Sequence, residues 1–87
     1  MRKESYATSI ERVVRDNNLT RCDLDTLKRL VFQYREANNL LKDDDFEYLE
    51  TREPHKKWEH RLHAGLQFLK RKNMVVFLGN NQYEFLT

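Results

Sequence analysis

The chain of 87 residues, 10.6 kDa with 39% hydrophobic, 34% charged and 11% aromatic residues, is expected to form one small domain over 1–87. A net charge of +2 sets up no global field, a single cysteine excludes a disulfide framework, and no apolar run approaches the roughly 20 residues of a membrane helix. Two glycines and one proline favour helices over a turn-rich sandwich, and a cytoplasmic or otherwise intracellular protein is expected.

Tyr6, Ile10, Val13 and Val14 recur on one helical face, which predicts a helix from about Ser5 to Asn17, stopped at Asn17-Asn18. Thr20 with Asp23 three residues on reads as a capping box, with Asp in place of the usual Glu or Gln. It opens a second helix whose stripe is Leu24, Leu27, Leu30, Val31 and Tyr34, closed at Asn38-Asn39. Leu40 and Leu41 are expected to fold back into the core. The acidic stretch that follows holds Phe46, Tyr48 and Leu49, so it predicts a short turn or ragged strand rather than a plain linker.

Pro54 suits a helix start. From His55 to about Lys72 the stripe of Trp58, Leu62, Gly65, Leu66 and Leu69 predicts a third helix, ended by Asn73. Met74–Leu78 and Gln82–Leu86, separated by Gly79-Asn80-Asn81, predict a β-hairpin with Val75, Phe77, Tyr83 and Phe85 on one face. The expected fold class is mainly α with a small β-hairpin. Three helices followed by a C-terminal two-stranded wing is the order of a winged helix-turn-helix domain; a three-helix bundle with an appended hairpin is the competing arrangement.

Charge is unevenly spread: residues 42–51 sum to −4, and residues 52–72, which hold all three histidines, sum to +5. On the third helix, the half opposite Trp58 holds Lys56, Lys57, His60, His63, Ala64, Gln67 and Arg71, with Glu59 only on the flank. An ordinary exposed helix mixes signs for i,i+4 pairing. A face of this composition suits a DNA major groove, with cations for phosphates and His or Gln for base edges. The expectation is a non-enzymatic protein that binds double-stranded DNA. Lys56, Lys57 and Arg71 would meet phosphates, and His60, His63 and Gln67 would lie nearer the bases. A merely solvated helix face is the plainer reading of the same residues.

Other chemistries find little support. His60 and His63 are spaced to share a metal but lack a fixed third ligand, so no metal or cofactor is expected. Counted from Asp43, a calcium loop needs Gly sixth and Glu twelfth, where Tyr48 and Pro54 stand. Glu53 and Lys56 flank a helix start with no dry cleft for nuclease chemistry. Cys22 has no base beside it, and Gly65 and Gly79 alone make no phosphate-cradling loop.

The residues from Trp58 onward run tryptophan, arginine, leucine-glutamine-x-leucine, a lysine-rich stop and the hairpin VVFLGNNQYEFLT. They resemble the winged-helix domain at the C-terminus of the Dam-replacing family of methyl-directed restriction endonucleases. Trp58, Glu59, Arg61, Leu62, Leu66, Gln67, Leu69, Phe77, Leu78, Gly79 and Tyr83 carry the resemblance. It implies duplex DNA as ligand, the third helix as reader and the hairpin as wing, in a regulator or a restriction- or phage-related accessory protein. Enzymes of that family carry a separate nuclease domain, for which this length leaves no space. The tip Gly79-Asn80-Asn81-Gln82 has no Lys or Arg, so phosphate charge must be met by the third helix and by Arg2, Lys3 and Arg52.

The alternative is a winged helix used for protein–protein contact. The uncharged tip, the modest net charge and the acidic Asp43–Glu50 surface with Phe46 and Tyr48 favour it. A homodimer through the first helix would add a second reading helix.

Overall fold

Asparagine sets the helix ends. In a computed structural model of the chain, which describes residues 4–46 and 56–86, three helices form: α1 (Tyr6–Asp16), α2 (Leu24–Ala37) and α3 (Lys57–Arg71). One residue past each C-cap stands an asparagine at positive φ: Asn18 at 51°, Asn39 at 54° and Asn73 at 60°. The next residue turns back. Leu19, Leu40 and Met74 donate their N–H groups to the carbonyls of Val14, Arg35 and Leu69 at 2.9, 2.8 and 3.0 Å. This is the Schellman closure, and Asn tolerates its left-handed position better than other side-chain-bearing residues. The stops read at Asn17-Asn18, Asn38-Asn39 and Asn73 are where the chain turns.

The start of α2 differs from expectation. Residues 21–23 form β1 (Arg21–Asp23), so the helix begins at Leu24 and its N-cap is Asp23 rather than Thr20. The Thr26 N–H donates to Asp23 Oδ2 at 3.1 Å and the Thr26 hydroxyl to Oδ1 at 2.6 Å. That hydroxyl bond first, then the backbone bond, holds the Asp23 carboxyl below the usual carboxylate range. β1 pairs antiparallel with β3 (Gln82–Phe85), which pairs with β2 (Val75–Gly79), in the order β1-β3-β2. The expected two-stranded hairpin is therefore two-thirds of a three-stranded sheet. Asp43–Phe46 forms a 3-10 turn. The rest of the acidic stretch, Pro54, His55 and the cations Arg2, Lys3 and Arg52 lie outside the described residues.

The predicted stripes meet in one core. Tyr6, Ile10, Val13 and Val14 of α1 pack with Leu24, Leu27 and Val31 of α2, Leu62, Leu66 and Leu69 of α3, and Val75 and Phe85 of the sheet. Leu40 is buried as expected. Trp58 is the exception to its stripe. It is half-buried at the margin, tilted against Phe32 with ring centroids 5.1 Å apart, while Phe32 stands edge-on to Phe46 at 6.0 Å.

Two charged side chains, Arg35 and Asp45, are buried among the described residues. Arg35 donates through Nη1 to the Ser9 hydroxyl at 2.7 Å and the Glu4 carbonyl at 2.9 Å, and through Nη2 to the Leu40 carbonyl at 3.1 Å. Its guanidinium carbon lies 3.9 Å from the centre of the Tyr6 ring, a cation–π contact. Nearby, buried Asp45 accepts from Arg61 and from the Lys42 N–H, tying the 3-10 turn to α3.

Burial pushes the Tyr6 phenol up to about 12, an effect that Arg35 opposes and Asp45 reinforces. The folded value lies above the ordinary 10.0, so this stabilisation is whole below pH 10 and is lost as pH rises toward 12. Tyr83, also raised by burial, acts in the same direction. Tyr6→Phe should therefore flatten the fall in stability between pH 10 and 12, measured by urea unfolding at each pH. An unchanged fall would mean that the phenol is hydrated in the folded protein.

Candidate functional site

Burying Leu62, Gly65, Leu66 and Leu69 fixes the rotation of α3 and with it the face turned to solvent. His60, Ala64, Gln67 and Arg71, at i, i+4, i+7 and i+11, are all exposed and form one ridge, spanning roughly 60° of the helix circumference. Lys70 and Lys72 are exposed beside its C-terminal end, with the Lys72 ammonium 5.5 Å from the centre of the exposed Phe68 ring. Three consecutive cations thus close α3, where they also oppose the helix dipole. Lys70 and Lys72 are legible in the run Lys70-Arg71-Lys72 but do not belong to the ridge's own i, i+4, i+7, i+11 line.

The other expected contacts are less open. Lys56, Lys57 and His63 are half-buried and engaged with other groups of the chain. Lys56 occupies the N-cap of α3 without a side-chain capping bond.

Carboxylates are drawn away from the ridge. Glu59 Oε2 accepts from Lys28 Nζ of α2 at 3.2 Å, with both side chains about one-fifth exposed. Asp45 is buried against Arg61. The sole acid within α3 is thus paired across to α2, and the ridge itself presents imidazole, amide and guanidinium groups.

The hairpin tip does not project. Asn80 and Asn81, at φ 50° and 60°, form the two-residue loop between Gly79 and Gln82, a type I′ geometry that favours Asn. The Asn81 carbonyl accepts the N–H of Leu24 at 2.8 Å, which pins the tip against the start of α2. Asp23 and Asp25 stand at that start, so the surroundings of the tip repel phosphate. Its exposed Asn side chains can hydrogen-bond, but they bring no charge.

Elsewhere, a cleft of about 420 Å³ between α1 and the sheet has apolar walls, including Ile10, Val14, Leu69, Met74 and Val75, with Glu11 and Arg15 among its polar residues. Cys22 sits half-buried on β1, and burial, then Asp23, pushes its thiol up to about 11, which disfavours the thiolate. Among the described residues no three of His, Cys, Asp or Glu converge to hold a metal ion, and no helix is long and apolar enough to cross a membrane.

Comparisons with protein-family models, curated proteins and solved structures find no match.

Proposed function

We propose that the chain is a winged helix-turn-helix domain that binds duplex DNA through the outward ridge of α3. The element order α1-β1-α2-α3-β2-β3 and the strand order β1-β3-β2 support this reading of the fold. The observation that carries the function is the ridge itself: His60, Ala64, Gln67 and Arg71 exposed in line, with Glu59 drawn off to Lys28. Arg71 with Lys70 and Lys72 would neutralise phosphates. Gln67 and His60 would reach base edges, and Ala64 between them leaves room for close approach. Lys56, Lys57 and His63 flank the ridge toward its N-terminal end. The tip of the hairpin, pinned and uncharged, contributes hydrogen bonds at most, so α3 bears nearly all of the contact.

Arg71→Ala should weaken binding to all duplexes alike and reduce the salt slope by about 1. Gln67→Ala should change preference between sequences more than bulk affinity. Anisotropy titrations of a mixed-sequence duplex and of a selected one measure both. If both variants bind as the parent does, α3 is not the reader.

A protein partner is the second reading, favoured by the uncharged β2 and hairpin tip and by the exposed Val76, Phe77 and Leu78. It predicts no duplex binding even at low salt.

A further inference from the structure

The two edges of the sheet are unlike. β1 is three residues long, carries Arg21 and Asp23, and leads directly into α2; short charged strands of this kind discourage pairing at an edge. β2, the other edge among the described residues, has no such charge. No charged residue stands between Lys72 and Glu84. Val76, Phe77 and Leu78 are 38%, 47% and 42% exposed, three consecutive large apolar side chains in water. A strand apolar on both faces is patterned for cover on both.

The backbone fixes which groups on that edge are open. Phe85 donates its N–H to Thr20, away from β2, and Leu86 donates its N–H to Met74, both at 2.9 Å. Alternation along β3 then turns Glu84 toward its register partner Val76. Val76 is therefore committed to β3, and Val75 and Phe77 direct N–H and C=O outward. The bulge between Phe77 and Gly79 ends the regular edge.

We propose that two copies of this chain pair antiparallel along β2, about a twofold axis at Val76, joining their sheets into one. In this register Val75 and Phe77 of one copy exchange hydrogen bonds with Phe77 and Val75 of the other. The two Val76 side chains meet at the non-hydrogen-bonded site, where side chains approach most closely. A second copy suits this edge because the strand has no charge to attract an acidic or basic peptide and none with which to repel itself. The contact is small. Three exposed apolar side chains per copy fall short of the roughly 800 Å² per partner of a standard interface, so dissociation falls at about 10 µM to 1 mM. The inference stands apart from the DNA reading.

Sedimentation velocity over that range should move the mass from 10.6 kDa toward twice that value. At the upper concentration, amide exchange should slow at Val75 and Phe77 and stay unchanged at Val76. Val76→Lys sets two ammonium groups opposite each other and should hold the chain monomeric, while mixing it with Val76→Glu should restore association. Circular dichroism checks that both variants fold, and exchange in the unaltered chain is informative whether or not they do. A monomer at every concentration overturns the proposal. So does a dimer that Val76→Lys leaves intact, or one whose new protection falls on α1.

Discussion

Replacing Gly65 with alanine is expected to cost the domain about 3 kcal/mol, although alanine is the better helix former by roughly 1 kcal/mol. The reason is the approach of α1. A Cβ at Gly65 would stand 2.8 Å from the Ala7 backbone nitrogen and 3.1 Å from the Tyr6 carbonyl carbon. Those atoms belong to a neighbouring backbone and cannot rotate aside, so the helices must separate along the interface that carries Leu62, Leu66 and Ile10. With an m-value of about 1–1.5 kcal/mol/M for a domain this small, the urea midpoint should fall by about 2–3 M. A raised midpoint would show propensity winning and would contradict the close packing.

Arg35→Ala should be at least as damaging, at roughly 3–5 kcal/mol. The guanidinium holds α1 through Ser9, the segment before α1 through the Glu4 carbonyl, and the end of α2 through the Leu40 carbonyl. Ser9 also donates to Glu4 Oε2 at 2.8 Å, and Glu4 pairs with Arg12 at 3.2 Å, so the loss spreads along a chain of polar contacts. Arg35→Lys should recover only part of it, because a single ammonium cannot reproduce the planar fork. Thermal unfolding of the two variants measures the difference. If both melt like the parent, the buried network contributes little net stability.

Much of the fold was legible because its signals are local. Apolar periodicity and the asparagine stops located α1 and α3 to within about two residues, and the Asn-Asn loop announced the hairpin. β1 was not legible. Its three residues carry charge at both ends and become a strand only through pairing with β3, 61 residues distant at Cys22 and Tyr83. That pairing also chose between two adjacent capping patterns, Thr20 with Asp23 and Asp23 with Thr26, and favoured the second.

Arg35 was hidden for a similar reason. It extends the line Leu27, Val31, and Ser9 sits in the buried face of α1, but each reads as an exposed polar residue until the other is placed beside it. The ridge of α3 could be read from the wheel, since its rotation follows from the buried leucines. The partial burial of Lys56, Lys57 and His63 could not, since it depends on what packs at the N-terminal end of α3.

The proposed function requires α3 to meet duplex DNA through its exposed ridge. The most direct measurement is the anisotropy of a labelled mixed-sequence duplex titrated with the protein at about 20 mM and about 150 mM salt. Contacts from Lys70, Arg71 and Lys72 predict binding at the lower salt that weakens about two-hundredfold at the higher, a log–log slope of about −2.7. No binding at the lower salt, or binding indifferent to salt, would contradict it.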